Sequence, residues 1–409
     1  MISYRSRPIF TEKVEIKGNC LFLMGPIGTF FARLSKYFEQ NDIRTYKMSF
    51  PLYEYGFPKS KLIKFSKDIR YFKEFLRKTI VEKNIKHIFM YGNVLIPHKN
   101  ALELVDELKK EDINIRTHIF ELGYFRPNFV TLEKRGINFD SSFIKNRDFY
   151  LKQDSFEIFP VPKKHAHFRI RKIWKAISFI NHCFKNYKLV EYEHKLQPKP
   201  IYIWYQIKGF FLKYFFKFSE YKLKKKCFFE KKFFIAILQV ATDSQLKQGS
   251  DIKDNNKFIY KIIKDFAKSN VDNNLVFKHH PRDRGYTNYF DQIEKISKEF
   301  GVYKKVFYIH DYFLSKVFMN PNCKGTVLIN STVGYQSLYH SVPIKSFGIS
   351  PYNIEGLSDQ RNLLSFFRNP LPVDKLLFKK FYKYILENSQ INGNFDGFFP
   401  FKNIFIFKK

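Results

Sequence analysis

Short apolar runs alternate with helical patterns along both halves of the chain, and this rhythm restricts the fold more than any other feature. In the first half, four apolar runs of strand length stand at 20–24, 43–50, 87–91 and 113–120. From about residue 233 the same alternation returns. Strands that alternate with helices favour a parallel sheet covered by helices. The sequence therefore predicts a two-lobed α/β enzyme with a cleft, in which ligands bind at the carboxyl ends of the strands.

The segment between the two halves differs in composition. Residues 161–232 contain 19 Lys/Arg, 4 Glu and 18 aromatic residues, and the aromatic and basic residues interleave at helical spacing. This pattern suits an amphipathic helix that lies in a membrane interface and extends its lysines to water. A helical insert whose aromatics pack on a domain explains it equally well.

These composition changes suggest where the domains begin and end. The predicted divisions are a first Rossmann-like lobe at 1–155, a basic aromatic helical insert at 156–232, a second α/β lobe at 233–375, and a C-terminal helix and tail at 376–409. The tail is a candidate to pack back on the first lobe.

The charge balance points to an anionic partner. The chain has 409 residues, with 72 Lys/Arg against 38 Asp/Glu, a formal net charge of +34. Such an excess predicts contact with nucleic acid, anionic lipid or a phosphorylated substrate. RNP, zinc-finger and basic-zipper signatures are missing, which argues against nucleic acid. No apolar stretch approaches the ~18 residues that span a bilayer, and the N-terminus lacks a signal-peptide core, so we expect a cytoplasmic protein, soluble or peripheral.

Two loops of the first half carry candidate binding residues. Gly25 and Gly28 lie in a turn between a strand and a helix, where glycine lets a ligand approach the helix N-terminus. A plain tight turn is the simpler explanation. Glu121 and Arg126 share a loop predicted to follow a strand, which suits an acid/base carboxylate beside an anion-binding arginine. A local Glu–Arg pair would also account for them.

The second half carries three denser motifs at predicted strand ends. Gln239 and Asp243 follow the first strand there, and Asp243 is either a nucleophile or a helix cap. The next motif supplies the phosphate-binding candidates Lys278, His279, His280, Arg282 and Arg284. The third supplies a phosphate cradle or an N-cap from Asn330, Ser331 and Thr332. No further ligands suggest a metal site, and we expect no metal or other cofactor.

Together these motifs resemble the capsule polysaccharide synthesis family of the KpsS and KpsC types. The matching stretches are FLMGPIGTFF, FELGYFRPNFVTLEKRGIN, LQVATDSQ, KHHPRDRG, LINSTVGYQSLYHSVPIKSFG and YNIEGLS, in order across roughly residues 20–360. A single catalytic module of this length is more similar to the KpsS type than to the longer, two-module KpsC type.

The resemblance implies a GT-B-like fold of two Rossmann-like lobes and a retaining β-Kdo glycosyltransferase that uses CMP-Kdo. It implies a phosphatidylglycerol-type lipid acceptor, on which a short Kdo linker is started at the cytoplasmic face of the bacterial inner membrane. Anionic phospholipid, that membrane surface and other capsule biosynthesis proteins are therefore the implied partners, and nucleic acid is not.

The resemblance also implies roles for individual residues. Asp243, in the Gln-x-x-x-Asp pattern that begins at Gln239, corresponds to the nucleophile. His280 would assist the departure of CMP, and Glu121 is the candidate acid/base. The cradle of Asn330, Ser331 and Thr332 would hold the CMP phosphate.

One stretch departs from the family pattern. Where relatives often have Tyr-Gly-Asp followed by Cys-Arg-Pro, this chain has Asn93 after Tyr-Gly and His98 after a proline. The missing acid and cation leave room for a different acceptor or sugar. A transferase for another CMP-activated sugar, such as sialic acid, is therefore the main alternative, followed by a nucleic-acid-binding protein.

Overall fold

The computed structural model describes residues 12–49, 56–155, 199–241, 246 and 248–408, except for the side chains of 199–203 and 206. These residues form two compact units. The described residues up to 142 and from 383 onward form the first unit, and 143–155 with those of 199–382 form the second. The domain boundaries predicted at residues 155, 232 and 375 stay a prediction, and residues 156–198 of the predicted insert lie outside the described residues.

The strands and helices alternate along much of the described chain. The strands are β1 (Val14–Ile16), β2 (Asn19–Phe22), β3 (Thr45–Ser49), β4 (Leu62–Lys64), β5 (Ile85–Tyr91), β6 (Arg116–Leu122), β7 (Phe129–Glu133), β8 (Phe233–Ile237), β9 (Asn274–Lys278), β10 (Val306–Ile309), β11 (Cys323–Leu328), β12 (Ile344–Ser346), β13 (Gln390–Asn392) and β14 (Phe405–Phe407). The α-helices are α1 (Phe30–Glu39), α2 (Phe72–Glu82), α3 (Ile96–Lys110), α4 (Arg147–Leu151), α5 (Lys199–Ser219), α6 (Tyr221–Phe229), α7 (Asn255–Ser269), α8 (Phe290–Glu299), α9 (Leu314–Phe318), α10 (Val333–Tyr339), α11 (Leu363–Arg368), α12 (Lys375–Ser389) and α13 (Phe401–Ile404).

The first unit is built on a seven-stranded sheet in the order β13-β7-β6-β5-β2-β3-β4. Strands β2 to β6 are parallel, whereas β7 is antiparallel to β6 and β13 is antiparallel to β7. A second, two-stranded sheet pairs β1 with β14. The core between the larger sheet and α1 is aromatic, with Phe22, Phe30, Phe38 and Phe120 buried together.

The second unit is built on a five-stranded sheet in the order β10-β9-β8-β11-β12, in which every described pairing is parallel. Strands β8, β9 and β10 are buried along their whole length, as expected for a parallel sheet covered on both faces. The chain moves outward from β8 to β10 and then returns to the other side of β8 as β11. This reversal places a topological switch point at the carboxyl ends of β8 and β11.

The predicted α/β class with two parallel-sheet lobes is thus confirmed, with two local corrections. The strand expected at 113–120 runs to Leu122, so Glu121 lies inside β6 and not in the loop after it. The alternating pattern also predicts a helix over 101–110, between the apolar runs at 87–91 and 113–120; this helix begins earlier, at Ile96, because Pro97 suits a first helical turn, where its missing N–H has no helical partner. Among the described residues, no helix is long and apolar enough to cross a bilayer.

A buried carboxyl group joins the end of β7 to the loop before this strand and to the chain after it. Glu133 accepts hydrogen bonds from the Tyr124 hydroxyl and the Ser141 hydroxyl, both at 2.6 Å. Burial raises the pKa of Glu133 to about 8, although these hydrogen bonds oppose the shift. The folded protein therefore keeps this carboxyl protonated at neutral pH.

Glu133 should make stability fall as the pH rises. The Glu133 carboxyl ionises at about pH 4.5 in the unfolded chain and at about pH 8 in the folded protein, so folding takes up a proton at Glu133 between these two values. The contribution of Glu133 to the free energy of unfolding is therefore complete below pH 4.5 and is lost above pH 8. We expect Glu133→Gln to weaken the decline in thermal midpoint from pH 5 to 8, by an amount equivalent to a few kcal/mol at most. Glu74→Gln, at an exposed position on α2, should leave the decline unchanged. Parallel curves for wild type and Glu133→Gln would contradict this assignment.

Candidate functional site

Two polar side chains join the strand ends at the switch point of the second unit. The Gln239 amide nitrogen donates to the Asn330 Oδ1 atom at 2.9 Å, and the Asn330 backbone N–H donates to Gln239 Oε1 at 3.2 Å. Both side chains are buried. Because a buried amide costs free energy unless it is hydrogen-bonded, this reciprocal pair fixes the distance between the ends of β8 and β11.

The loop after β8 is held by two further side chains. Asn255, the first residue of α7, donates to the Gln239 carbonyl at 2.7 Å and accepts from the Gln239 N–H at 3.3 Å. Buried Asp283 accepts from the Ala241 N–H and from the Thr287 hydroxyl, each at 3.0 Å. Asp243 itself lies outside the described residues, so its role stays a prediction.

Lys278, the last residue of β9, and His279 form the buried base of the candidate site, which we call the floor. The Lys278 ammonium group donates to the carbonyls of His279 at 3.0 Å and His310 at 2.8 Å. Burial lowers the pKa of Lys278 to about 8. The Tyr308 hydroxyl lies 2.6 Å from His279 Nδ1, and His279 Nε2 has no hydrogen-bond partner among the described residues. Burial, with the nearby His310, lowers the pKa of His279 to about 3, so this imidazole is neutral.

His280 occupies a different environment from its neighbour. Its side chain is half-buried, and its Nδ1 atom accepts the backbone N–H of Arg282 at 3.1 Å. An accepting Nδ1 puts the proton of the neutral imidazole on Nε2, which can then donate to a ligand. The two adjacent histidines therefore differ. His279 is buried in the floor, whereas His280 is half-buried and has its N–H at Nε2.

The two arginines of the same loop also differ. Arg282 is exposed, whereas Arg284 is buried and lies with its Nη2 atom 3.4 Å from Asp311 Oδ2. The Arg284 Nε atom has no hydrogen-bond partner within the part of the chain that the structure describes. A buried guanidinium with an uncommitted N–H is well suited to an anionic ligand.

A carboxylate from the helical segment before β8 completes the floor. Glu220 lies between α5 and α6 and accepts from the His310 backbone N–H at 2.9 Å, while His310 Nδ1 lies 2.7 Å from the same oxygen. Lys224 forms an ion pair with Glu220 at 3.2 Å. Burial alone would raise the pKa of Glu220, but His310 and Lys224 together lower it below its ordinary value. The ring of Phe216 stacks on His310 with centroids 3.5 Å apart.

The predicted phosphate cradle lies where β11 passes into α10. The Ser331 hydroxyl accepts the Val333 N–H at 3.3 Å, and the Ser331 carbonyl accepts from the Tyr352 hydroxyl at 2.7 Å. Thr332 is the residue before the helix and is half-buried. The structure thus brings Gln239, Asn330 and Ser331 to one edge of the sheet, as predicted.

The first unit contains the other predicted residues. Gly28 has a φ of 116°, which favours glycine, and the Phe31 ring occupies the space that a side chain at Gly25 would need. Glu121 is half-buried in β6 and accepts the Leu122 N–H at 2.9 Å. Arg126 is exposed, and its Nε donates to the Gly123 carbonyl at 3.0 Å. The substrate roles of these residues stay predictions.

The departure from the family pattern has a structural counterpart. Asn93 is buried, and its amide nitrogen donates to Asp140 Oδ2 at 2.8 Å. Burial raises the pKa of Asp140. An aspartate at position 93 would place two carboxylates together, whereas Asn93 pairs with the one that is present.

Comparison with known proteins decides the family. Residues 94–396 match the capsule polysaccharide biosynthesis protein family. The capsule polysaccharide modification protein LipB of Neisseria meningitidis serogroup A is 33% identical over 410 residues, which cover 95% of each chain. The chain belongs to the capsule polysaccharide biosynthesis family. This confirms the resemblance identified from the motifs.

This capsule biosynthesis protein is also similar to two further proteins. The capsule polysaccharide export protein KpsS of Escherichia coli is 28% identical over 386 residues, which cover 91% of this chain and 95% of KpsS. The solved structure of the KpsC beta Kdo 2,7 transferase of Thermosulfurimonas dismutans has a TM-score of 0.40 and 14% identity, over 88% of this chain and 97% of that one.

Several residues that build the site of this capsule biosynthesis protein were missed by the sequence analysis. Asp283 lies within the KHHPRDRG motif, and its place between two cations was the only available signal. Asn255 resembles an ordinary residue at a helix N-terminus. Glu220 precedes its partner His310 by 90 residues, so no local pattern connects them.

We expect Asp283 to control the order of the loop that leads to Asp243. Asp283→Ala removes the acceptor of the Ala241 N–H and should lower stability by about 1–3 kcal/mol. Hydrogen–deuterium exchange of the peptide covering 238–246 should become faster. Thr287→Val removes only the hydroxyl partner and should leave that exchange slow, and Asp283→Asn should be milder because its carbonyl oxygen can still accept. Unchanged exchange in Asp283→Ala would show that this contact does not order the loop.

Proposed function

We propose that this capsule biosynthesis protein is a retaining β-Kdo glycosyltransferase that moves Kdo from CMP-Kdo to a phosphatidylglycerol or lysophosphatidylglycerol acceptor. The transfer would start the poly-Kdo linker of a capsular polysaccharide. The observation that carries the proposal is the group of cationic and hydrogen-bonding residues at the strand ends of the second unit. The family membership supports the proposal.

The donor has the charges that such a site suits. CMP-Kdo carries a phosphate and a carboxylate, and the proposed ligands are the Arg284 guanidinium, the His280 Nε2–H group and the hydroxyls of Ser331 and Thr332. Lys278 lies below them and contributes positive potential rather than a direct contact, because its ammonium group already donates to two carbonyls. In this proposal the protein's own cations offset the phosphate charge, and no metal ion or cofactor is assigned.

The proposed chemistry is a double displacement. The Asp243 carboxylate attacks the anomeric carbon, and the bond to the phosphate oxygen breaks with its electron pair leaving on CMP. His280 donates a hydrogen bond to that departing oxygen. An acceptor hydroxyl then attacks the same carbon, loses its proton to Glu121 and displaces Asp243. Two inversions give net retention.

The acceptor would place the protein at a membrane. A phosphatidylglycerol-type lipid resides in an anionic leaflet, to which each lysine or arginine near the surface contributes about 1 kcal/mol of attraction. The net charge of +34 supports a peripheral location on the cytoplasmic face of the inner membrane. Other capsule biosynthesis proteins are further proposed partners at that surface.

The proposed donor and catalytic residues are tested together by measuring CMP release. With lysophosphatidylglycerol as acceptor, we expect release from CMP-Kdo and little from CMP-sialic acid. Asp243→Asn should abolish turnover, since it removes the nucleophile, and His280→Ala should lower turnover by about 10²-fold or more. Nuclear magnetic resonance of the product should show the β-anomer.

The control for this experiment is Asp251→Asn, which changes an exposed aspartate eight positions after Asp243. It should retain wild-type turnover. Wild-type turnover by Asp243→Asn or His280→Ala would remove that residue from the mechanism. Preferred use of CMP-sialic acid would replace Kdo with the alternative donor, and an inverted product would contradict the double displacement.

A further inference from the structure

Helix α5 presents one narrow stripe to the rest of the second unit. Tyr205, Gly209, Leu212 and Phe216 recur every three or four residues and are half-buried, and buried Glu220 follows at the same spacing. This is the stripe that a helix at 3.6 residues per turn buries against a neighbour. The described remainder of the helix surface faces away from that contact.

The outward surface of α5 is almost wholly apolar. Seven side chains share an arc of about 140°, counted at 100° per residue. Their exposed fractions lie between 46% and 75%. They are Trp204, Ile207, Phe210, Phe211, Tyr214, Phe215 and Phe218, which we call the aromatic arc. Exposed aromatics in such a contiguous group mark an interaction surface, because a soluble protein rarely exposes them to water together.

Lysines border the aromatic arc on both sides. Lys208 lies beyond one edge, and Lys213 and Lys217 lie beyond the other, all three exposed. The Lys213 ammonium group is 5.7 Å from the centroid of the Tyr214 ring, and that of Lys217 is 6.0 Å from the Phe218 ring. The ammonium groups of Lys213 and Lys217 therefore lie beside the edge of the aromatic arc, from which a long lysine side chain can extend to a phosphate group.

We infer that α5 lies flat on an anionic phospholipid bilayer, with the aromatic arc among the upper acyl chains and the bordering lysines at the phosphate groups. The sequence left an interfacial helix and an insert whose aromatics pack on a domain as equal explanations of this segment, and the inference adopts the first and assigns the residues that enter the lipid. The inference goes beyond the proposed function, because it requires no particular donor, acceptor or reaction.

Charge favours a bilayer over a second copy of the chain. In a symmetric dimer through this face, the lysine borders of the two copies would come together, in a protein whose net charge is already +34. Anionic headgroups instead neutralise those lysines, and aromatic side chains are favoured at the boundary between headgroups and acyl chains.

The buried stripe of the same helix contacts the candidate donor site. The loop after β9 that contains His280 and Pro281 runs to Gly285, and we call it the His-Pro loop. A side chain at Gly285 would overlap the carbonyl oxygen of Tyr205. The ring centroids of Tyr205 and Tyr286 lie 4.8 Å apart, and Phe216 stacks on His310. Docking of α5 would therefore hold the His-Pro loop in a fixed position on the side of the helix that faces away from the bilayer.

Vesicle binding and tryptophan fluorescence test the inference without donor or acceptor turnover. The full chain is floated with vesicles of equal phosphatidylglycerol and phosphatidylethanolamine. Phe211→Ser/Phe215→Ser/Phe218→Ser should lower the partition coefficient at least tenfold. Lys208→Gln/Lys213→Gln/Lys217→Gln should lower the partition coefficient about fivefold per lysine on anionic vesicles and little on phosphatidylcholine.

The chain has two tryptophans, so in a Trp174→Phe background the fluorescence of Trp204 should be quenched by phosphatidylglycerol with brominated acyl chains.

The matched control is Tyr260→Ser/Phe290→Ser/Tyr303→Ser, which removes three exposed aromatics outside α5 and should bind like wild type. Equal thermal midpoints show that the variants are folded. Wild-type binding by the α5 aromatic variant, or unquenched Trp204, would overturn the inference. The inference would also be overturned, in favour of self-association, if the wild-type protein were a dimer without vesicles and the α5 aromatic variant lost the dimer but kept its vesicle binding. Loss of CMP release with intact vesicle binding would contradict only the proposed function.

Discussion

The buried carboxylate of Glu220 is the interaction on which the second unit depends most. It bonds to the backbone and the imidazole of His310 and forms an ion pair with Lys224. A buried carboxylate is tolerated only when its oxygens are paired in this way, and removal of the partners would leave a costly isolated charge. Because Glu220 lies between α5 and α6, one side chain fixes both helices on the end of β10. The position of α5 on the His-Pro loop follows from this attachment.

The same burial gives neighbouring groups different chemical roles. Burial lowers the pKa of Lys278 to about 8, and burial, followed by the nearby His310, lowers the pKa of His279 to about 3, so that the His279 imidazole is neutral. His280, one residue further along, leaves the floor and has a defined tautomer through the Arg282 N–H. The floor supplies hydrogen-bonded support and positive potential, while His280 is half-buried and lies nearer the surface.

The sequence predicted the features that depend on local pattern. Apolar runs gave the central strands, and the residues after them, including Gln239 and Asn330, lie at one edge because carboxyl ends of parallel strands meet there. Which residues pair across distant segments was not predictable. The tail was a candidate to pack on the first lobe, but neither the pairing of β13 with β7 nor the contact of Glu220 with His310 has a local sequence signal. Glu121 was assigned to a loop because the alternation gives strand ends only to within a few residues.

Gly285 allows the half-buried stripe of α5, opposite the aromatic arc, to lie against the His-Pro loop. Close approach of the helix backbone to the His-Pro loop requires glycine at position 285, because a side chain there would overlap the Tyr205 carbonyl oxygen, whereas a Cβ atom at Gly209 would make only ordinary contact with Gly285. Phe216 and Glu220 make the next contacts along the same stripe, so the helix touches both the β9 and the β10 strand ends. The surface proposed to contact lipid and the loop proposed to bind the donor phosphate are thus joined by direct contacts. If both proposals hold, the binding of α5 to the bilayer also determines the position of the His-Pro loop.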